Sequence, residues 1–234
     1  MRTVVIGNRE LAVETLEYML LDEWGIVGTI SAAGEGARKQ AGYVSLTELA
    51  DKHDVETTAT TDINSSETKS WLRDLDPDLC LCPGWHQIIN ESVLSIPERG
   101  FVGVHSSDLP RGRGGAPINW AMINGESEIA VSLFYYSSGV DAGDIVHKEY
   151  VPIEDRDDVA TVLGRISLAI RDGLAKSRSK FESESVNPEP QAVKNATYRP
   201  RRQPQDGIVD WSQSTRDLFN WVRSQTDPYP GSYT

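Results

Sequence analysis

Short apolar runs closed by glycine or proline recur along this chain. RTVVIG, GIVGTIS and LCLCPG have the form of buried strands. FVGVH and VETTAT read as two further strands, and IAVSLFYYS and DIVHKEYVPI as two more near the middle of the chain. Between them lie segments with helical spacing. NRELAVETLEYMLL sets Leu11, Leu16, Met19 and Leu20 on one side, with Asn8 placed to cap its amino end. GARKQAGYVSLTELADKH is a polar loop leading into a short helix, and SSETKSWLRDLDPD is a helix with a serine cap signal. QIINESVLSIPERG and APINWAMINGES predict two shorter helices. DDVATVLGRISLAIRDGLAKSRSKF is a long amphipathic helix, acidic in its first turn and basic in its last, the order the helix dipole favours. Strands alternating with helices predict an α/β domain with a mostly parallel sheet flanked by helices. ESESVNPEPQAVKNATYRPRRQPQDG is polar and proline-bearing and reads as a linker with one strand. IVDWSQSTRDLFNWVRSQTDPYPGSYT offers a last helix and turn, a partial appendage rather than a second core. The expected organisation is a catalytic domain over 1–185 and a linker with a C-terminal segment over 186–234.

Composition narrows the class. The chain has 234 residues, 38% of them hydrophobic and 25% charged, enough for one sizeable soluble core. No stretch approaches eighteen apolar residues, so no membrane span is expected. Thirty-five acids against 23 bases give a net charge of −12, which argues against a general nucleic-acid surface. Such a balance suits an ordinary surface or a high-salt habitat. Cys80 and Cys82 share one strand face and read as buried, reduced thiols, in keeping with a cytoplasmic location and no metal site.

In open α/β sheets, ligands bind beyond the carboxyl ends of the strands. Two predicted strand ends here carry polar groups, PGWHQII and HSSDLPRGRGG, and a third polar loop is SSGVDAGD. His105 and Asp141, brought together from separate loops, would make a proton-transfer pair. Spacing alone leaves open a purely structural histidine and a turn-capping aspartate. RGRGG lacks the Walker spacing, and GNREL lacks the dinucleotide fingerprint, which sets aside a nicotinamide-binding reading. His86 and His147 read as structural and His53 as a surface residue. Trp120, Trp211 and Trp221 read as core or interface packing.

Four blocks in order resemble the formyltransferases that use N10-formyltetrahydrofolate, the family of methionyl-tRNA formyltransferase and the sugar-nucleotide N-formyltransferases. They are MRTVVIGNRELAVETLEYML, GFVGVHSSDLPRGRGGAPINWAMINGE, GVDAGDIV and RRQPQDGIVDWSQSTRDLFNWVRSQTDPYPGSYT. The resemblance implies a Rossmann-like fold and formyl transfer from N10-formyltetrahydrofolate to a primary amine. It carries the family's catalytic histidine onto His105 and its aspartate onto Asp141. The family's asparagine, two residues before the histidine, is here Gly103. Gly84–Trp85 matches a variant seen in sugar-type relatives. The resemblance also implies folate contacts at Gln87, Ile88 and Ile89 and at Ser137, Ser138, Gly139, Val140 and Asp141. An arginine that contacts folate in some relatives falls on Gly115.

On this reading His105 is the base for the attacking amine, since an imidazole titrates near neutral pH, and Asp141 orients it. The oxyanion loses the asparagine as donor, and Ser106, Ser107 and Asn119 are candidates to replace it. Trp85, Ser107, Arg111 and Arg113 are the expected acceptor contacts, the arginines toward phosphate or sugar. The acidic balance and short C-terminal segment favour a nucleotide-linked amino sugar over aminoacyl-tRNA. A folate-fold binding protein without turnover stays open through Gly103, and a homodimer is the expected assembly.

Overall fold

The computed structural model describes residues 1–40, 42–183 and 186–234. Seven strands form one sheet: β1 Thr3–Ile6, β2 Ile26–Ala32, β3 Glu56–Thr60, β4 Leu79–Pro83, β5 Phe101–His105, β7 Glu128–Tyr135 and β8 Ile145–Pro152, in the order β3-β2-β1-β4-β5-β7-β8. The first five are parallel, and β7 and β8 add antiparallel to the β5 edge. The result is a Rossmann-like α/β fold, as expected.

Period-two alternation decides what lies on each face. Val4, Ile6, Cys80, Cys82 and Phe101 point to one side, where they pack with Leu72 and Leu75 of helix α4 (Ser66–Leu75). Val5, Leu81, Val102, Val131 and Leu133 point to the other, against α1 (Glu10–Leu21) and α7 (Val159–Glu182). Both cysteines are fully buried free thiols, and burial pushes their pKa values up. Ser65 caps α4 by accepting from the Thr68 amide, and Asp158 caps α7 by accepting from Thr161.

Asn8 does not cap α1. Arg9 is the capping residue, with no side-chain cap bond, and Asn8 lies one position too early. Its backbone carbonyl accepts from Val44, while its buried side-chain amide has no hydrogen-bond partner.

The linker folds back on the sheet domain. Its strand β9 (Tyr198–Arg199) pairs in parallel with β6 (Arg113–Gly114), within the glycine-rich loop. Beyond it, Arg202 lies over two indole rings, 5.2 Å from Trp120 and 4.5 Å from Trp221. These contacts join α6 (Pro117–Ile123) to α8 (Thr215–Arg223), each worth about 0.5–2 kcal/mol. Trp120 and Trp221 are thus interface residues as expected, but Trp211 is 71% exposed and packs into no core. Its immediate neighbours, Asp210 and Ser212, are exposed polar residues. His53 is exposed, and the His147 imidazole pairs with Glu149 at 2.5 Å. Among the described residues, no helix is long and apolar enough to cross a membrane. The domain boundary expected at 185 lies outside the described residues.

Candidate active site

His105 is the last residue of β5, so its ring stands at the carboxyl edge of the sheet. Asp141 comes from the β7–β8 loop. Because β7 runs antiparallel, Tyr135 pairs with Val102, near the start of β5. The loop after Tyr135 therefore travels back along β5 to bring its aspartate to the histidine. The two meet with Nδ1 and Oδ2 3.7 Å apart. On the other side of the ring, Nε2 lies 2.8 Å from the Gly112 carbonyl oxygen. A carbonyl oxygen only accepts, so Nε2 carries a proton in that contact. Nδ1 is then the nitrogen that faces the carboxylate and can take up a proton.

Asp141 is held firmly. Its φ of 49° is left-handed, a conformation that needs support in a non-glycine residue. Oδ2 accepts from the Gly114 amide at 2.8 Å. Gln191, from the linker, donates to the backbone carbonyls of Asp141 and Gly143 at 2.9 and 2.6 Å. The same glutamine accepts from Arg113 Nε and Nη2 at 3.1 and 2.6 Å, and Arg113 Nη1 donates to the Tyr198 hydroxyl. Arg113 is 3% exposed. Its guanidinium therefore braces the aspartate loop from within, which corrects the expected phosphate or sugar contact. The pairing of β6 with β9 turns the side chain inward, and that pairing comes from residues far along the chain.

The other expected acceptor residues are placed differently. Arg111 is exposed on the loop. Ser107 is buried and donates its hydroxyl to the Arg111 carbonyl at 2.8 Å, so it serves the loop. Trp85 lines a cleft of about 1000 Å³ that His105 also lines, and its buried indole N–H has no partner.

Among the residues expected to contact folate, Gln87 has its side chain tied to the Thr61 carbonyl and the Ile63 amide, both at 2.9 Å. Ile88 is exposed, with its carbonyl accepting from Asn64, and Ile89 is buried in the core. Ser137, Ser138, Gly139 and Val140 form an exposed run that ends at Asp141.

Gly103 has a steric cause. A Cβ there would lie 2.1 Å from Cε1 of Tyr136 and 2.9 Å from Cε1 of Phe134. The Tyr136 ring fills the space that a side chain at 103 would need. Tyr136 packs on Phe134, whose ring in turn lies edge-on to His105. Burial, the Cys82 thiol and the Asp141 charge raise the Tyr136 pKa, so the phenol keeps its proton. Of the donors expected to replace the asparagine, Asn119 is bonded to the Ser224 carbonyl at 2.7 Å and Ser107 to Arg111; Ser106 is buried in the cleft lining. Tyr136 escapes sequence reading, because seeing it requires the antiparallel register of β7. Gly115 has a similar cause: a Cβ there would lie 2.5 Å from the Cα and Cγ of Arg201, so the linker fills the space that a side chain would need.

Comparison with known proteins agrees with this architecture. The model of the family described as formyl transferase matches residues 1–176, and that of the formyl transferase C-terminal domain matches 201–234. Methionyl-tRNA formyltransferase of Acetivibrio thermocellus is 32% identical over 236 aligned positions, which take in 100% of this chain and 76% of that protein. The Bacillus subtilis methionyl-tRNA formyltransferase is 29% identical, covering 100% of this chain and 74% of its own length. By structure, a sugar N-formyltransferase from a Shewanella species superposes with a TM-score of 0.78 at 14% identity, over 100% of this chain and 92% of that one. An N-formyltransferase from Helicobacter canadensis, solved with folinic acid and dTDP-3-aminofucose, gives 0.75 at 17% identity, over 95% and 79%. With a match over most of its length and a relative above 30% identity across the whole chain, this protein belongs to the formyl transferase family of enzymes.

Proposed function

We propose that this enzyme moves a formyl group from N10-formyltetrahydrofolate to the primary amine of a nucleotide-linked amino sugar, with His105 and Asp141 as the catalytic pair. The observation that carries the reaction is the pair itself. An imidazole is oriented through Nε2 by a carbonyl and presents Nδ1 to a carboxylate 3.7 Å away. In the step, the amine nitrogen forms a bond to the formyl carbon and gives its proton to Nδ1. Asp141 stabilises the resulting imidazolium. The bond from the formyl carbon to N10 then breaks, and the proton returns to N10. Tyr136 supplies a protonated hydroxyl for the developing oxyanion in place of the family's asparagine. Residues 137–141 and 87–89 are the proposed folate contacts, made through backbone groups of the exposed loop. Residues 1–185 carry the chemistry, and residues 186–234 brace it.

The acceptor assignment rests on charge. A net charge of −12 opposes binding of a polyanion along an extended surface. Relatives at 29–32% identity are methionyl-tRNA formyltransferases by name, so aminoacyl-tRNA is the second reading. A cytoplasmic site of action fits the reduced, buried thiols.

Folinic acid tests the donor half. Titrated into the protein in a calorimeter, it is expected to bind with micromolar to submillimolar affinity and to raise the melting temperature. Absence of both heat and thermal shift at millimolar ligand would count against the folate site.

A further inference from the structure

The linker reaches the supports of both catalytic residues, and it is anchored at two points. Glu189 exchanges backbone hydrogen bonds with Ile145, the first residue of β8, at 2.7 and 2.8 Å. Further along, β9 pairs with β6, and the amides of Arg113 and Gly115 donate to the carbonyls of Thr197 and Arg199 at 3.0 and 2.9 Å. Between these anchors the chain meets two loops. One carries Asp141, and the other is the glycine-rich loop that turns the Gly112 carbonyl toward His105.

On the aspartate side the contact is the buried Gln191. Its amide can face only one way. The Arg113 guanidinium only donates, so the amide oxygen turns to it. The Asp141 and Gly143 carbonyls only accept, so the amide nitrogen turns to them. The hydrogen bonds described for the Arg113 side chain go to Gln191 and to the Tyr198 phenol, so a buried cation is held by neutral groups. A glutamate would suit that cation better, because an ion pair offsets part of the desolvation of a buried charge. It would also lose both donors to the aspartate loop. The glutamine is therefore matched to the two carbonyls rather than to the arginine. On the histidine side the contact is Thr197. Its Oγ1 accepts from the Gly112 amide at 2.9 Å, and its own amide donates to the Pro110 carbonyl at 3.2 Å. The Gly112 carbonyl is the group that fixes His105 Nε2 at 2.8 Å. One short segment thus holds the support of the imidazole and the support of the carboxylate that faces it.

We infer that residues 189–199 form a strap in which Gln191 and Thr197 are positioning residues for formyl transfer, Gln191 aiming the Asp141 carboxylate and Thr197, through Gly112, aiming the His105 imidazole. The inference rests on the reading of His105 and Asp141 as the catalytic pair. Neither strap residue bonds to the reacting side chains themselves. Both act through the 3.7 Å separation of Nδ1 and Oδ2, which changes when either loop shifts. A misplacement of about 1 Å can cost about a hundredfold in rate. The strap follows the sheet in the chain and lies outside its seven strands, so the sheet keeps its fold while the pair loses its alignment.

The test reads turnover, thermal stability and the His105 ring nitrogens in the full chain. Gln191→Glu keeps an acceptor for Arg113 and adds an ion pair, so its melting temperature should stay within about 5 °C of wild type. It also sets a carboxylate against two carbonyl oxygens, so the Asp141 loop should shift and kcat should fall by about tenfold to a hundredfold. Thr197 is exposed, so its variants test the strap without disturbing a core. Thr197→Val removes the hydroxyl at nearly constant shape and should lower kcat about threefold or more, and Thr197→Ser should recover most of that loss. Nitrogen NMR of the imidazole, assigned against His105→Ala, should show one tautomer with the proton on Nε2 in the wild type and a mixture in Thr197→Val. That signal does not depend on which acceptor is used. Gln191→Glu and Thr197→Val proteins that turn over like wild type would overturn the strap, as would a His105 spectrum unchanged by Thr197→Val. A loss of rate in Gln191→Glu that only follows its loss of folded protein would overturn the positioning role as well. Turnover retained by both His105→Ala and Asp141→Asn would instead strike the catalytic pair on which the inference rests.

Discussion

His105→Ala is expected to lower formyl transfer by about a hundredfold to ten-thousandfold, the range that a positioned general base contributes. The substitution leaves the folate contacts in place, since those proposed are backbone groups of residues 87–89 and 137–141. Folinic acid affinity should therefore change little, and the loss should appear in kcat. Asp141→Asn should produce a loss of at least about a hundredfold. Asparagine tolerates the left-handed backbone at 141 and keeps an oxygen for the Gly114 amide, so the loop should hold its shape. What it lacks is the negative charge that stabilises the imidazolium. Steady-state kinetics at saturating donor measure both effects. Turnover within tenfold of wild type for both variants would remove the pair from the mechanism.

The second large effect is at Gly103. Gly103→Asn restores the residue that the family carries, yet it is expected to destabilise the fold by at least about 2 kcal/mol, as overpacking does in a filled core. The new Cβ would stand 2.1 Å from the Tyr136 ring, and β5 lies inside the sheet, where the backbone cannot give way. Turnover should fall with it, because the Tyr136 hydroxyl is displaced. Two further variants separate packing from chemistry. Combining Gly103→Asn with Tyr136→Ala should recover more than about 1 kcal/mol relative to the single change, the coupling that a direct contact produces. Tyr136→Phe keeps the ring and removes only the hydroxyl, so the fold should persist while kcat falls by about a hundredfold or more, the usual cost of losing an oxyanion donor. Urea denaturation reads the stability and a formyl-transfer assay reads the rate. A Gly103→Asn protein as stable as wild type would show that Tyr136 does not fill the site.

How much of this is legible in the sequence depends on the range of the interaction involved. The parallel strands are readable because Val4 to Ile6 and Leu79 to Cys82 are buried on both faces and leave unbroken apolar runs. His105 is readable as a strand-end residue for the same reason, and Asp141 as a loop acid between two strands. Their meeting follows from the resemblance rather than from spacing, because the loop must first double back along β5. Arg113 defeats local reading: its direction is set by the β6–β9 pairing, Tyr198 lying 85 residues away. Gly103 and Gly115 show only that something stands close. Which group it is, Tyr136 in one case and Arg201 in the other, depends on register and on the path of the linker. Gln191 and Thr197 carry no motif, and only the linker's pairing at both ends brings them to the catalytic loops. Asn8 has the composition of a cap, but the helix begins one residue later and leaves its amide buried.

The central claim is catalysis of formyl transfer to an amino-sugar nucleotide, and direct turnover tests it. The wild-type protein is supplied with N10-formyltetrahydrofolate and, in separate reactions, with a panel of nucleotide-linked amino sugars, the corresponding free amino sugars and methionyl initiator tRNA. Release of tetrahydrofolate and the mass of the formylated product are followed together. The account predicts stoichiometric formylation of at least one nucleotide-linked amine, at a kcat/KM well above that for its free sugar and for the charged tRNA. Methionyl-tRNA as the preferred acceptor would contradict the assignment of substrate, and no turnover with any amine by a protein that binds folinic acid would contradict the assignment of catalysis.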